Sequence, residues 1–158
     1  MEKSTFSQLY LQLMPGLYNI AFSILRNTND AQDAVQETAL KAWLHIEHIR
    51  SDSVKAYITR ILINECNNIL RQRKRITPVP EIAESPSPIH PDLLELQDAV
   101  NRLPKKLRIA VLLIYEEGYS YKDASDALKL HPTALKSRIK RAKKLLKSQL
   151  IEITEEVL

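Results

Sequence analysis

The amino-acid sequence predicts an all-α protein with two small helical domains joined by a flexible, Pro-rich linker. Apolar residues recur at helical spacing in both halves of the 158-residue chain, and no stretch sustains the period-2 alternation of a half-buried strand. Five of the eight prolines fall within TPVPEIAESPSPIHP, residues 77–91, which cannot form a helix or a central strand. The residues from Ile76 to Asn101 include five acids and neither Lys nor Arg, so the charge changes sign at the same place. We therefore expect domains at about residues 1–75 and 92–158, with residues 76–91 as the linker.

The N-terminal domain is expected to contain three helices. An apolar stripe runs through residues 6–25, and Pro15 is expected to kink or split the helix that carries it. Asn29, with Gln32 three residues later, is expected to cap the second helix. The third helix is expected over about residues 53–74 and ends in a strongly basic run.

The C-terminal domain is expected to contain four helices, of which the last two form a helix-turn-helix. Gly118 suits the exit from the second of these helices. Ser120 with Asp123 resembles a capping box for a short third helix, and residues 129–131 form a tight turn after it. Prolines mark the starts of the other three helices: Pro91, Pro104 and Pro132.

The last helix carries one of the most basic stretches of the chain, because residues 133–149 contain seven Lys or Arg and no acid. On a helical wheel Leu135, Ile139, Ala142 and Leu146 fall in one narrow sector, with basic residues opposite. A membrane-surface helix would give a similar wheel, but this apolar side is narrow and lacks Trp and Phe. The short helix and tight turn before it favour a helix-turn-helix, whose basic face enters the major groove. The remaining alternative is a solvated basic helix that only covers one side of the bundle.

The bulk composition excludes several classes of protein. The formal net charge is +4, and Cys66 is the only cysteine, so no internal disulfide can form. The N-terminus lacks the features of a signal peptide, and no apolar run approaches the roughly 18 residues that span a bilayer. The four histidines and Cys66 lack metal-ligand spacing, and the thiol has no acid or histidine partner that would activate it. We therefore expect a cytoplasmic, non-catalytic protein without a metal, a cofactor or direct membrane insertion.

Three stretches resemble conserved blocks of the extracytoplasmic-function (ECF, group 4) sigma factors of the sigma-70 family. Residues 103–146, LPKKLRIAVLLIYEEGYSYKDASDALKLHPTALKSRIKRAKKLL, are similar to the promoter-reading C-terminal domain, whose typical form is LPxxxRxVxxLxxxEGxSYxEIAxxLGIxxGTVKSRxxRAxxxL. Residues 29–43, NDAQDAVQETALKAW, resemble the helix that grips the polymerase clamp. Residues 56–75, AYITRILINECNNILRQRKR, resemble the helix that opens the −10 element. These blocks occur in the family's order and together cover most of the chain.

The sequence departs from the family's pattern at four places, and one of them is VKAY, residues 54–57, where the aromatic usually found near the start of the −10 helix is weakened. The turn glycine is Lys129 here, where a positive φ would cost on the order of 1 kcal/mol. The Ile-Ala pair of the short third helix is Ala124-Ser125, a smaller and more polar core contact. The Gly-Thr before the basic helix is Thr133-Ala134, which moves a phosphate-contacting hydroxyl one residue earlier. We expect these departures to affect promoter sequence and domain stability rather than the class of function.

The resemblance implies one binding surface for core RNA polymerase and two for promoter DNA. Residues on the second helix would meet the polymerase β′ clamp helices: Asp30, Asp33, Gln36 and Glu37. Residues on the third helix would contact phosphates and unpaired bases of the melted −10 element: Arg60, Asn64, Asn67 and Arg71. Residues on the basic helix would read the −35 element: Thr133, Lys136, Ser137, Arg138, Lys140, Arg141 and Lys144. The polymerase β flap is the further partner that the resemblance implies.

The main interpretation is an alternative sigma factor that directs core RNA polymerase to specific promoters and initiates transcription. The resemblance also implies control by an anti-sigma factor that is anchored in the membrane. The alternative is a free-standing helix-turn-helix transcriptional regulator, which would show dimer symmetry and bind duplex DNA tightly without polymerase. A DNA-processing enzyme would need a catalytic constellation in the N-terminal domain, and the sequence offers none.

Overall fold

The computed structural model describes residues 1–49, 54–76 and 91–157, and every regular element within them is helical. An N-terminal bundle consists of α1 (Lys3–Leu25), α2 (Thr28–Leu44) and α3 (Val54–Ile76), with a short 3-10 turn (Ile46–His48) after α2. A C-terminal bundle consists of α4 (Pro91–Arg102), α5 (Lys105–Val111), α6 (Tyr121–Leu128) and α7 (Pro132–Val157), and a π-helical turn (Leu112–Glu116) extends α5. The described residues thus confirm the all-α fold class. Most of the predicted linker, residues 77–90, and residues 50–53 of the loop before α3 lie outside the described residues.

Helix α1 continues through Pro15 without interruption, so the split that the sequence allowed does not occur. A proline inside a helix costs about 3 kcal/mol because it removes one hydrogen bond and crowds the preceding turn. Tertiary packing outweighs that cost, since buried side chains lie on both sides of the proline. These buried residues of α1 are Phe6, Tyr10, Leu17, Ile20, Ala21, Ile24 and Leu25.

The prediction that Asn29 caps α2 is wrong, because Asn27 is the cap. The Asn27 side chain accepts a hydrogen bond from the backbone N–H of Asp30 at 2.9 Å, and the helix begins at Thr28. The preceding residue, Arg26, has a left-handed backbone with φ 51° and closes α1. This sharp reversal brings Asn27 into the capping position, while Asn29 is exposed in the first turn of α2.

The C-terminal bundle follows the predicted turns closely. Pro104 immediately precedes α5 instead of lying inside its first turn. Gly118 has φ +68°, which is easily accessible only to a residue without a side chain. The Ser120 hydroxyl accepts a hydrogen bond from the backbone N–H of Asp123 at 3.0 Å and caps α6 as predicted.

The turn between α6 and α7 places a lysine where the family pattern has glycine. Lys129 is left-handed, with φ 54° and ψ 45°, at a cost on the order of 1 kcal/mol. Backbone hydrogen bonds hold the turn, from Lys129 to Asp126 at 3.3 Å and from Leu130 to Ser125 at 2.9 Å. The chain therefore reverses between α6 and α7 as the helix-turn-helix prediction requires.

The two bundles pack on each other, with α3 against α6 and α1 against α5. Tyr119 is 6% exposed, shares a hydrogen bond of 2.7 Å with the Thr59 hydroxyl, and has the Lys55 ammonium 4.0 Å from its ring centroid. We call the contacts between the bundles the interbundle seam. It joins Asn19 to Glu117, Ser23 to Arg108, Arg26 to Asn101, Lys55 and Thr59 to Tyr119, Arg60 to Asp126, and Asn67 to Lys105.

None of the helices in the described residues combines the length and the apolar character that crossing a bilayer requires.

Candidate nucleic-acid and polymerase interfaces

Helix α7 turns an apolar face to its bundle and a basic face to solvent. Leu135, Ile139 and Ala142 are buried, and α7 contacts α4, α5 and α6. Burial of a leucine or isoleucine side chain contributes about 1.5–3 kcal/mol, so this face fixes the rotation of the helix. Arg138 is half-buried, and the other residues predicted to read the −35 element are exposed: Thr133, Lys136, Ser137, Lys140, Arg141 and Lys144.

The start of α7 is ordered by the turn that precedes it. His131 Nδ1 accepts a hydrogen bond from the backbone N–H of Thr133 at 3.2 Å. The Thr133 backbone is thus satisfied locally, and the residue remains exposed. A recognition helix contacts base edges through its N-terminal residues, and Thr133, Lys136 and Ser137 at the start of α7 are exposed.

Lys143 differs from the neighbouring basic residues because it packs along the domain surface. Its ammonium lies 5.4 Å from the ring centroid of Tyr115. A hydrogen bond with Tyr115 raises the pKa of Lys143, so its charge is retained. The basic residues Lys140, Arg141 and Lys144 are exposed.

The four α3 residues predicted to read the −10 element follow one helical stripe, but two of them contact the C-terminal bundle. Asn64 and Arg71 are exposed. The other two residues are half-buried and belong to the interbundle seam. Arg60 Nε donates to the backbone carbonyl of Asp126 at 3.0 Å, and Asn67 Oδ1 accepts from Lys105 Nζ at 2.7 Å.

Helix α2 exposes a stripe that combines acidic residues with leucines. Asp33 and Glu37 are exposed, as is Gln36 beside them. Leu40 and Leu44 are 60% and 76% exposed and continue the stripe, since positions 33, 37, 40 and 44 lie on one helix face. Exposed leucines beside acids are typical of a surface that binds a basic partner with apolar side chains of its own.

Asp30 serves a different purpose from the other three residues predicted to bind polymerase. Its carboxylate accepts a hydrogen bond from Arg73 Nε at 3.1 Å within an ion pair, and Arg73 Nη1 also donates to the Leu25 carbonyl at 2.9 Å. These contacts tie the end of α3 to the junction between α1 and α2. Asp30 therefore positions α2, while Asp33 and Glu37 present their carboxylates to solvent.

Leu40 and Leu44 were not singled out from the sequence as exposed apolar residues of α2. Both positions lie outside the stripe of α2 that is buried in the bundle, namely Ala31, Ala34, Val35, Thr38 and Ala42. The same helical wheel that identifies the buried stripe would have shown two leucines on the opposite side. Three residues of the C-terminal bundle were also not predicted to contact the N-terminal bundle, because such contacts have no local signal in the sequence: Tyr119, Lys105 and Arg108.

The single thiol has no chemical role that the structure supports. Cys66 is fully buried, and burial raises the pKa of its thiol to about 12, so the reactive thiolate is scarce at neutral pH. Within residues 1–49, 54–76 and 91–157, no cluster of three His, Cys, Asp or Glu side chains could hold a metal ion.

Comparison with known proteins identifies the family. Family models match at residues 9–76 (Sigma-70 region 2) and residues 93–146 (Sigma-70, region 4). The chain is 30% identical over 148 residues to the ECF RNA polymerase sigma factor EcfG of Rhodopseudomonas palustris, a match that covers 89% of this chain and 82% of that protein. It is 29% identical to the ECF RNA polymerase sigma factor SigE of Mycolicibacterium smegmatis, covering 96% of this chain and 64% of that protein.

A solved structure supports the same assignment. In the complex of the sigma factor RpoE with the anti-sigma factor NepR from Bartonella quintana, the matching chain has a TM-score of 0.80 and 31% identity. The match covers 92% of this chain and 96% of that chain, so it spans both bundles. The chain therefore belongs to the ECF RNA polymerase sigma factors of the sigma-70 family, which are non-catalytic transcription initiation factors.

Proposed function

We propose that this chain directs core RNA polymerase to specific promoters through three surfaces. The exposed stripe of α2 binds polymerase, α3 reads and melts the −10 element, and α7 reads the −35 element. The basic face of α7 carries this proposal, because its helix is fixed by a buried apolar face and its DNA-facing residues, apart from the half-buried Arg138, are exposed. The described residues contain one helix-turn-helix, whereas a free-standing regulator binds two half-sites through a dimer.

Recognition of the −35 element follows from the position of each residue along α7. Lys140 and Arg141 lie on the outward face, where a lysine or arginine can donate to the O6 and N7 acceptors of guanine. Thr133, Lys136 and Ser137 lie at the start of the helix, where hydroxyl and ammonium groups contact base edges and phosphates. Lys144 lies one helical turn after Lys140 and contacts the phosphate backbone.

Recognition of the −10 element uses the exposed side of α3. Asn64 and Arg71 are accessible, so they contact unpaired bases and phosphates of the melted strand directly. Arg60 and Asn67 complete the same stripe once their contacts with the C-terminal bundle are released. Arg71, Lys74 and Arg75 are exposed and supply the positive charge that holds a single strand.

Binding of core polymerase uses the α2 stripe. Asp33, Gln36 and Glu37 pair with basic residues of the β′ clamp helices, which sets the rate and register of association. Leu40 and Leu44 add apolar area to the same interface, and Asp30 holds α2 in place through Arg73. The C-terminal bundle contacts the β flap in this proposal.

Control by an anti-sigma factor belongs to the same proposal, and the likeness to a sigma factor that was solved with NepR supports it. The partner would be amphipathic, and acidic where it meets residues 136–147. It would cover Asp33 and Glu37 and so compete with polymerase. The family resemblance further implies a cytoplasmic sigma factor and a membrane-anchored partner. A pull-down from separated membrane and cytosolic fractions tests whether the partner is anchored in the membrane. Competition of the recovered partner with core polymerase tests whether the two exclude each other.

Selection from randomised promoter sequences by the assembled holoenzyme tests the reading of DNA. Lys140→Ala and Arg141→Ala each remove a base contact that contributes about 1–3 kcal/mol, so each variant should relax the base preference at one or two −35 positions. Lys106→Ala removes the same charge from an exposed position on α5 and serves as the control. Unchanged preferences in both α7 variants would mean that this helix does not read the promoter.

A further inference from the structure

Two arginines from different bundles converge on one backbone carbonyl. Arg26, at the end of α1, and Arg108, on α5, both donate to the carbonyl of Asn101. Arg108 also donates to Ser23 Oγ at 3.3 Å and to the Leu103 carbonyl at 3.2 Å. All of these acceptors are neutral, and neither guanidinium forms an ion pair among the described residues. The two positive charges are therefore brought together without a carboxylate between them.

This pairing of like charges is costly in the absence of an anion. Arg108 is 8% exposed, and burial, followed by the charge of Arg26, lowers its pKa to about 10. The guanidinium still keeps its proton at neutral pH, so both arginines are charged. Buried charges in proteins are normally paired with an opposite charge. The energetics therefore favour an anion beside the two arginines.

Both arginines keep donors that no described residue uses. Arg108 makes its hydrogen bonds through Nε and Nη1, and Arg26 through Nη2. Nη2 of Arg108 and both Nε and Nη1 of Arg26 thus have no acceptor in this part of the chain, and none of them is a fully buried atom. The Ser23 hydroxyl accepts from Arg108 and retains its own proton for donation. A ligand that accepts several hydrogen bonds at once would therefore satisfy groups from both bundles.

A phosphate group matches this donor set better than a carboxylate does. Guanidinium groups bind both anions through two parallel hydrogen bonds. The two oxygens of a carboxylate lie in one plane and are satisfied by a single guanidinium. A phosphate group has further oxygens outside that plane, which accept from a second guanidinium and from a hydroxyl. The donors of Arg26, Arg108 and Ser23 therefore indicate phosphate.

Positive charge continues from the two arginines toward the end of α3. Lys105 lies one helical turn before Arg108, and its exposed ammonium donates to Asn67 Oδ1 at 2.7 Å. Burial, and then the nearby charges of Arg108 and Lys74, lower the pKa of Lys105. A second phosphate group would relieve this repulsion in the same way as the first. A ligand with linked phosphate groups therefore finds more partners here than a single phosphate ion does.

We propose that Arg26 and Arg108 form a binding site for a small anion that carries linked phosphate groups. One phosphate group bridges the two guanidinium groups, with the Ser23 hydroxyl as a further donor, and the next approaches Lys105. None of these four residues belongs to the surfaces assigned to polymerase or promoter DNA. The inference thus goes beyond the proposed function and does not depend on it.

Titration of the full-length chain with tripolyphosphate tests the site. Thermal unfolding is followed at constant ionic strength, with sodium chloride as the reference salt, because phosphate also stabilises proteins by exclusion from their surfaces. We expect the midpoint of unfolding to rise with tripolyphosphate concentration as binding to one site requires. Arg26→Gln should weaken this binding by about tenfold or more, because it removes hydrogen bonds between charged groups. It keeps a non-glycine residue at the left-handed position, so the backbone strain is the same.

Lys122→Gln is the matched control for the loss of one positive charge. Lys122 is exposed on α6 and has no contact with the two arginines, so this variant should bind tripolyphosphate as the unsubstituted chain does. An equal response to tripolyphosphate in Arg26→Gln and Lys122→Gln would overturn the inference. The same result would follow if sodium chloride at matched ionic strength raised the midpoint as much as tripolyphosphate does.

Backbone amide NMR spectra show where the ligand binds. Tripolyphosphate should shift the signals of residues around Ser23, Arg26 and Arg108. Shifts confined to α7 would reflect a general affinity of its basic face for polyphosphate and would contradict the proposed site. A single-stranded oligonucleotide is the second probe, and Arg26→Gln should leave its affinity unchanged. Loss of oligonucleotide binding in that variant would mean that the arginines hold nucleic acid and not a small anion.

Discussion

Ser125 within α6 and Ser120, the residue that caps this helix, should respond in opposite directions to substitution by alanine. Ser125 is 2% exposed, and its hydroxyl has no hydrogen-bond partner within the described residues. An unpaired buried hydroxyl costs about 1–3 kcal/mol, and alanine has the higher helix propensity by a few tenths of a kcal/mol. Removal of the hydroxyl oxygen also removes its van der Waals contacts, which offsets this stabilisation by up to about 1 kcal/mol. Ser125→Ala should therefore raise the free energy of unfolding by about 1 kcal/mol.

Ser120→Ala is the matched control on the same helix. It removes the hydroxyl that accepts from the Asp123 N–H at 3.0 Å, and loss of such a cap typically lowers the free energy of unfolding by about 1 kcal/mol. Urea unfolding of the full chain measures both variants, with unchanged m-values required for the comparison. A Ser125→Ala variant as destabilised as Ser120→Ala would show that the Ser125 hydroxyl is paired and that the reasoning from burial is wrong.

Three further predictions concern the surfaces and the core. Lys144→Ala should weaken holoenzyme binding evenly across promoter sequences and lower the slope of log affinity against log salt by about 0.9, which titrations at several salt concentrations would measure. Asp33→Ala with Glu37→Ala should slow association with core polymerase several-fold at low salt and much less at high salt, as stopped-flow mixing would show. Cys66 should resist alkylation at pH 8 in the native protein and react at once in denaturant, because burial raises its pKa from 9.0 to about 12. The folded pKa of Cys66 is the higher one, so its contribution to stability is complete below about pH 9 and is lost as the pH rises through about 12.

Local interactions made much of the fold predictable. Ser120, Gly118 and Pro132 act on their own backbone or on residues a few positions away, so their roles could be inferred from sequence alone. The cap of α2 could not, because Asn27 and Asn29 are both capable of capping and the choice depends on the left-handed backbone of Arg26. A non-glycine residue at positive φ has no reliable sequence signal.

The functional surfaces were predictable to different degrees. The basic face of α7 follows from one helical period, and the structure exposes nearly all of it. The hydrogen bonds of Arg60 and Asn67 could not be predicted, because their partners Asp126 and Lys105 lie 66 and 38 residues away along the chain. Contacts of that separation depend on how the two bundles pack, which amphipathic periodicity does not determine.

We expect this chain to select promoters only as a part of RNA polymerase holoenzyme. Run-off transcription from genomic fragments, with core polymerase present and the chain added or omitted, tests it most directly. We expect discrete transcripts only when core polymerase and the chain are both present. The chain alone should not shift the same promoter duplexes sequence-selectively in gel electrophoresis. Tight, selective duplex binding without polymerase, together with transcripts that do not depend on the chain, would instead identify a free-standing regulator and contradict this account.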